Sequence, residues 1–240
     1  MVRPREPAGR GGLCFALAAA VFASLLPLPC ESACREGCDL ALASYYVSED
    51  DVVSTIAPLF GIGYKDVLPY NSLTSPDFIL TGSRLSIPFR CGCNDDGSLG
   101  HTFAYTTRSG DTYVNIARSR YRNLTTADAL RRANSYPAVL IPIGVPINIT
   151  VACFCGDEGI SSDYGLFVMY PIRPGDTAET VAAAVGFSSS TLLQEYNPGI
   201  NFTSGQGIMF VPTRDPQGRY RPLKARSSKR GALILFIYFS

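Results

Sequence analysis

Six cysteines offer the most informative chemistry in this sequence. They form one C-x3-C and two C-x-C motifs, and they are Cys34, Cys38, Cys91, Cys93, Cys153 and Cys155. Closely spaced thiolates can bind zinc, but zinc ligand pairs usually follow C-x2-4-C spacing. The two cysteines of a C-x-C motif are too close to bridge each other comfortably, because a disulfide needs a particular Cα separation and dihedral angle. We therefore expect three disulfides in which each C-x-C cysteine joins a distant partner, and no metal site.

Other reactive groups are scarce. His101 is the single histidine, so a histidine-based metal site or hydrolytic triad has almost nothing to use, and we expect this residue to be an ordinary surface side chain. The formal net charge is +1, which argues against a nucleic-acid-binding protein with its strong basic excess. No cofactor is expected.

The N-terminus predicts export. Residues 1–32 read as a secretory signal peptide, with three arginines before an apolar stretch at 12–28 and a cleavage site after Ser32. A membrane anchor is the alternative, but cysteine-rich sequence follows at once. Cys14 and Cys30 leave with the signal peptide, and the even number of cysteines that remains in a secreted chain implies a disulfide framework.

Glycosylation sequons agree with this compartment. Three Asn-x-Thr sequences predict N-linked glycans at Asn123, Asn148 and Asn201.

The predicted strands and helices that position the cysteines form a repeat. Three blocks of about 45 residues, separated by the C-x-C motifs, each read strand, helix, helix, strand. Such a unit predicts an α+β fold, with two antiparallel strands and both helices on one face. A unit this small has little core, and disulfides of about 2–4 kcal/mol each would add stability at the seams.

A turn marks the start of helix one in each block. The sequence R-x-G-D-T occurs at residues 108–112 and 173–177, and residues 48–51, SEDD, are a degenerate copy. Asp and Thr in these turns are expected to cap the helix that follows. Helix two ends near an asparagine in each block, namely Asn71, Asn134 and Asn197. We expect the Asn134 side chain to form hydrogen bonds with the local backbone.

The C-terminal region differs in composition. Residues 215–231 read as a basic juxtamembrane linker, and residues 232–240 are an apolar tail. About 20 residues are needed to span a bilayer, so this tail is too short. A truncated transmembrane helix, an unspliced-intron artefact and a lipid-anchor signal are the interpretations left open.

These features resemble a known family. The β-α-α-β block with Gly-Asp-Thr before helix one and Tyr-Asn or Ala-Asn after helix two looks like a LysM domain. Three such blocks separated by C-x-C motifs resemble the ectodomain of plant LysM receptor-like kinases, in the chitin elicitor receptor kinase group and its symbiotic relatives. The stretches CDLALASYY, NLTT, YGLF and YNPG carry the likeness.

The resemblance implies an organisation. The fold would be three tandem LysM (βααβ) modules tied by inter-module disulfides. Residues 33–93 form the first module with its cysteine seam, 94–155 the second and 156–214 the third. The implied disulfides are Cys34–Cys93, Cys38–Cys155 and Cys91–Cys153.

The family's kinase is not carried over to this chain, which has no Gly-rich nucleotide loop and no His-Arg-Asp segment, so we expect no enzyme activity. The likeness is to an isolated ectodomain, from a truncated gene model, a splice form or a secreted decoy.

The resemblance also implies a ligand groove in the second module, between the loop before helix one and the loop after helix two. Its residues would be Ser109, Gly110, Asp111, Thr112, Val114, Tyr136, Pro137, Ala138, Val139 and Ile141. The implied ligand is chitin or a lipochitooligosaccharide, with peptidoglycan as the alternative left open. The family's acidic groove positions are partly replaced here, which bears on affinity and not on the fold.

The leading functional hypothesis is extracellular recognition of chitin-derived oligosaccharides in plant immune or symbiotic signalling, with other LysM receptor chains as homo- or heterodimer partners. The chain would be at the plasma membrane if a full-length form has a transmembrane helix, and secreted otherwise. The alternatives are a non-binding LysM co-receptor, a secreted decoy and, with least support, a targeting module of a cell-wall hydrolase.

Overall fold

The computed structural model describes residues 34, 37–138, 140–155, 165–187, 190–213 and 215. The predicted signal peptide and apolar tail lie outside the described residues, as does the predicted linker except for Asp215. Within the described ranges, no helix is both long enough and apolar enough to cross a membrane.

Each predicted module contributes two strands. The strands are β1 (Cys38–Tyr46), β2 (Arg84–Cys93), β3 (Leu99–Thr106), β4 (Pro146–Ala152), β5 (Leu166–Pro171) and β6 (Ile208–Thr213). Buried and more exposed side chains alternate along β4, as expected when one face of a sheet packs on helices. All residues of β5 are buried, because this strand lies inside the sheet and is covered on both faces.

Two short helices connect the strands within each module. They are α1 (Val53–Ile56), α2 (Tyr64–Val67), α3 (Tyr113–Asn115), α4 (Ala127–Ala133), α5 (Ala178–Ala184) and α6 (Ser190–Tyr196). The order strand, helix, helix, strand therefore holds in all three modules.

Helix one is irregular in two of the modules. In the first, α1 passes into a 3₁₀ turn, Ala57–Phe60, and Pro58 lies in its first positions, where a missing N–H group costs little. In the second, α3 passes into a π-helical turn, Ile116–Arg120.

The six strands form one continuous sheet in the order β4-β3-β2-β1-β5-β6. The first module therefore lies in the centre. Its β2 pairs antiparallel with β3 of the second module through Gly92–Gly100 and Cys93–Leu99, and its β1 pairs parallel with β5 of the third. The modules thus share a sheet as well as disulfides.

The modules differ in how they share a core. Rings of the first and second modules pack together: Phe60 contacts Phe103 with centroids 5.2 Å apart, and Tyr121 at 5.6 Å. The Tyr121 hydroxyl also donates to the Leu59 carbonyl at 2.8 Å. The third module has its own core, to which β1 adds Leu42.

Disulfides join the seams between modules. The structure contains Cys34–Cys93, Cys38–Cys155 and Cys91–Cys153, the pairing that the resemblance implies. All six described cysteines are therefore bonded to one another, and none of them is a free thiolate that could bind zinc. The sulfurs of Cys38, Cys91 and Cys155 lie close together because two of these bridges are adjacent.

Candidate functional site

The first wall of the predicted groove is the turn that precedes α3. The Arg108 backbone amide donates to the Asp111 carboxylate at 2.7 Å, and the Asp111 amide donates to the Arg108 carbonyl at 3.2 Å. Gly110 has a φ of 78°, which side chains of L-residues rarely adopt, and a Cβ there would contact nothing within 4 Å. Glycine is therefore required by the backbone conformation of this turn, and it leaves the backbone open to solvent.

The structure corrects the predicted role of the aspartates. Thr112, and not Asp111, caps the helix, since its hydroxyl accepts from the Asn115 amide at 3.1 Å. Asp176 likewise closes its turn by accepting from the Arg173 amide at 2.7 Å.

The turn of the first module has the aspartate of this geometry but not the capping threonine. Asp51 accepts from the Ser48 amide at 2.8 Å, as the other two aspartates do within their turns. Val52 stands at the helix cap, without a side-chain hydrogen bond to the helix. The degenerate turn thus keeps its aspartate and lacks the capping threonine.

The carboxylate of Asp111 is fully used by the fold. Its side chain is only 4% exposed, it accepts from the Tyr105 hydroxyl at 2.8 Å, and it lies 3.9 Å from the Arg120 guanidinium. Burial, reinforced by the bond to Asp111, raises the pKa of Tyr105 to about 12, so the phenol stays protonated and donates. A ligand in the groove would therefore meet the backbone of this turn and not a free acid.

The second wall is the loop between α4 and β4. The Tyr113 hydroxyl donates to the Tyr136 carbonyl at 3.0 Å, and the Thr107 hydroxyl donates to the Pro142 carbonyl at 2.6 Å. The Gly144 amide donates to the Thr107 carbonyl at 2.9 Å. These bonds hold the two walls side by side, so the structure brings together segments that lie more than twenty residues apart in sequence.

The predicted site residues differ in their exposure. Ser109, Gly110, Val114 and Pro137 are exposed, whereas Asp111, Thr112, Tyr136, Ala138 and Ile141 are partly buried. Val139 lies outside the described residues.

Two exposed apolar residues of the second wall were not among the predicted site residues. Leu140 is 74% exposed and Ile143 is 67% exposed. Contiguous exposed apolar patches can mark a binding surface, and these two residues lie on one loop of the predicted groove. The signal was present as the apolar run AVLIPIG in a connection expected to be polar.

Three asparagines hold the closing loops. Asn134 donates to the Leu130 and Asn148 carbonyls at 2.9 and 2.8 Å and accepts from the Asn148 amide at 2.7 Å. Asn71 and Asn197 make the same three bonds in their own modules. The expectation that Asn134 binds backbone is therefore confirmed.

His101 is not the ordinary surface residue that the sequence suggested. Its ring is partly buried and packs on Phe103 with centroids 4.5 Å apart and on Phe89 at 5.9 Å. Burial lowers the pKa of His101. Its role in the described structure is packing.

The predicted glycosylation sites are all exposed. Asn123, Asn148 and Asn201 each have exposed side chains, so a glycan at any of them would meet no steric obstacle from burial. Their modification stays a prediction.

Comparisons with known proteins agree with this arrangement. Models described as LysM domain match residues 45–88 and 168–212, and a model described as the LYK3/4/5 LysM2 domain matches residues 100–151. The matches fall one in each predicted module, while the exact module boundaries stay a prediction.

Similar curated proteins include plant receptor kinases. The chain is 46% identical over 204 residues to chitin elicitor receptor kinase 1 of Arabidopsis thaliana, covering 81% of this chain and 33% of that protein. It is 43% identical over 232 residues to LysM domain receptor-like kinase 10 of Oryza sativa subsp. japonica, covering 89% of this chain and 37% of that protein. The chain thus spans about a third of the length of these curated relatives.

Similar solved structures are ectodomains. The chain is 45% identical in sequence to the crystal structure of the ectodomain of a receptor-like kinase, with a TM-score of 0.73. The match covers 80% of this chain and 100% of that chain. The chain is 39% identical to the crystal structure of the LYK3 ectodomain, with a TM-score of 0.74. That match covers 81% of this chain and 98% of the other. The matched region is the non-catalytic ectodomain.

Proposed function

Because the chain belongs to the LysM receptor-like kinase family and matches the ectodomains of that family, we propose a carbohydrate ligand for its second module. This ligand is chitin or a chitin-derived N-acetylglucosamine oligosaccharide, bound outside the plant cell. The observation that carries this proposal is the pairing of the two groove walls by the Tyr113–Tyr136 hydrogen bond.

The chemistry of the groove suits a neutral sugar. Chitin carries no charge, and each of its N-acetyl groups offers one amide donor and one carbonyl acceptor. The open backbone at Gly110 can approach such groups closely, and the exposed side chains of Val114, Leu140 and Ile143 can contact acetyl methyls. Asp111 supplies none of these contacts, because its carboxylate is bonded within the fold.

Binding of each sugar ring should be weak. The chain has no tryptophan, so it lacks the largest stacking surface for a pyranose ring. Useful affinity would then require several rings along one oligomer, or a second LysM receptor chain on the same ligand. A longer form with a transmembrane helix would place this recognition at the plasma membrane, and a form without one would be secreted.

Calorimetric titration of the protein with chitin octamer tests the proposal. We expect saturable heat, and we expect Tyr113→Phe to weaken affinity about 2- to 10-fold, because it removes one neutral hydrogen bond between the walls. Tyr121→Phe is the matched control: it also removes one buried hydroxyl, which binds the Leu59 carbonyl away from the groove. No heat at high micromolar octamer would overturn direct recognition.

A non-binding co-receptor is the second candidate, and the occupied carboxylate of Asp111 favours it. This role would give no heat with the octamer, yet the chain would associate with another LysM receptor in a pull-down that contains chitin oligomers. The hydrolase alternative is not supported, since the matched region is non-catalytic.

A further inference from the structure

A cleft of about 560 Å³ lies between the first and third modules, away from the groove of the second. Small-ligand pockets in proteins commonly measure about 300–1,000 Å³. The residues of the cleft that matter chemically are Tyr46, Arg84, Ser86, Tyr170, Arg173 and Asp176.

Arg84 reaches into this cleft from the first module. Its guanidinium donates to the Pro171 carbonyl at 2.9 Å and lies 3.5 Å from the centroid of the Tyr170 ring. It donates more weakly to the Ser44 hydroxyl at 3.4 Å. A guanidinium has five N–H groups, so these bonds leave donors for another acceptor.

Arg173 faces the same cleft from the third module. Its guanidinium stacks on the Tyr46 ring at 3.5 Å from the centroid. Among the described residues it makes no side-chain hydrogen bond or ion pair. The tyrosine therefore orients a planar cation whose edge remains free to bind an anion.

The charges in the cleft do not balance. Of its described lining residues, two are guanidinium groups and Asp176 is the sole carboxylate, which leaves one positive charge in excess. Asp176 is 3.7 Å from Arg84, beyond a good hydrogen bond, and it already accepts from the Arg173 amide and from the Tyr170 hydroxyl. The carboxylate of Asp176 offsets only part of the cost of burying the Arg84 guanidinium, and desolvation lowers the pKa of that guanidinium.

We propose that this cleft binds an acidic sugar, with the ligand carboxylate between the guanidinium groups of Arg84 and Arg173. Guanidinium and carboxylate match in a bidentate geometry, and such charge-assisted bonds are about twice as strong as neutral ones. Tyr46, Tyr70 and Ser86 also line the cleft, and their hydroxyl groups are suited to the hydroxyls of a sugar ring.

Two kinds of sugar share this chemistry. A uronic acid carries its carboxylate on the ring carbon skeleton, and an N-acetylmuramic acid carries it on a lactyl ether. Each has a neutral counterpart of similar size, glucose for glucuronate and N-acetylglucosamine for N-acetylmuramate. The site is separate from the second-module groove, so it and the proposed chitin recognition can fail independently.

The test is NMR of the arginine side-chain N–H groups in the full chain at constant ionic strength. We expect glucuronate, N-acetylmuramate or both to shift the signals of Arg84 and Arg173 saturably, while glucose and N-acetylglucosamine leave them unmoved. The acid that shifts them identifies the source of the ligand. Arg173→Gln should weaken binding about tenfold or more, and Arg173→Lys, which keeps the charge without the planar fork, should weaken it less.

Arg108→Gln is the matched control. Arg108 is the first residue of the equivalent turn in the second module and is exposed, so its substitution removes the same charge elsewhere. Affinity for the acidic sugar should be unchanged in this variant. Equal weakening by Arg108→Gln and Arg173→Gln, equal shifts with the neutral sugars, or no saturable shift with either acid would each overturn the proposal. Chitin octamer titrated into the unmodified protein reports separately on the second module.

Discussion

Replacement of Asn197 by alanine should destabilise the third module strongly. The Asn197 side chain donates to the Leu193 and Phe210 carbonyls at 2.8 and 2.7 Å and accepts from the Phe210 amide at 2.6 Å. It is only 4% exposed. These bonds join the end of α6 to β6, so the substitution leaves three backbone groups without their partner.

The expected magnitude follows from burial. One net hydrogen bond contributes about 0.5–1.5 kcal/mol, so the three together should contribute about 2–4 kcal/mol. Asn134 makes the same three bonds in the second module but is partly exposed, so water can replace the lost partner. Asn134→Ala should therefore cost only about 1 kcal/mol.

Asn197→Asp sharpens the test because it keeps the shape of the side chain. An ionised carboxylate would face two carbonyl oxygens in a buried site, and this raises the pKa of the introduced acid. Its folded pKa would then exceed its unfolded value, so the variant should lose least stability at low pH, where the acid is protonated and can donate one bond.

Chemical denaturation and hydrogen exchange of the Phe210 amide measure these effects, each variant being compared with the unmodified protein at the same pH. We expect Asn197→Ala to shift the unfolding midpoint more than Asn134→Ala and to accelerate exchange at Phe210. Equal costs for the two alanine variants, or a pH-independent cost for Asn197→Asp, would show that burial of Asn197 does not set the cost.

Three further outcomes are expected. Serine at both Cys91 and Cys153 should lower stability by about 2–5 kcal/mol in thermal unfolding, since the bridge joins two modules and both residues are buried. Burial lowers the pKa of His101, so the unfolded chain takes up a proton at this residue before the folded chain does. Stability that is present above about pH 6.5 is therefore lost as the pH falls toward the lower folded pKa. His101→Gln should reduce the pH dependence of the chemical denaturation midpoint across this acid range. Arg122→Ala should cost about 2 kcal/mol in chemical denaturation, because Arg122 bonds the half-buried Asp51 at 3.0 Å across two modules; an unchanged midpoint would show that this pair is not stabilising.

The repeating unit was readable from the sequence because its determinants are local. In the turn of the second module, Gly110 fits a positive φ and Thr112 bonds an amide three residues away. Asn134 bonds a carbonyl four residues before it. Interactions of this range depend on residue type and spacing, so a repeated pattern predicts a repeated βααβ unit.

The roles of single groove residues were less readable. Asp111 looked like a helix cap and a possible ligand contact, but the fold turns its carboxylate inward to Tyr105 and Arg120. The exposure of Leu140 and Ile143 was not predictable either, because the apolar run around them is equally compatible with burial. Whether such a side chain faces solvent depends on what the rest of the chain places beside it.

The sequence by itself determined three βααβ units, their turns and the presence of a disulfide framework. Only the tertiary structure decided that β1 pairs in parallel with β5 and places the first module at the centre of one sheet. The same arrangement sets Arg84 beside Arg173 and so creates the cleft between modules. The physical reason is that strand pairing and charge proximity join residues about 90 to 130 positions apart, and no local pattern records which distant segments will meet.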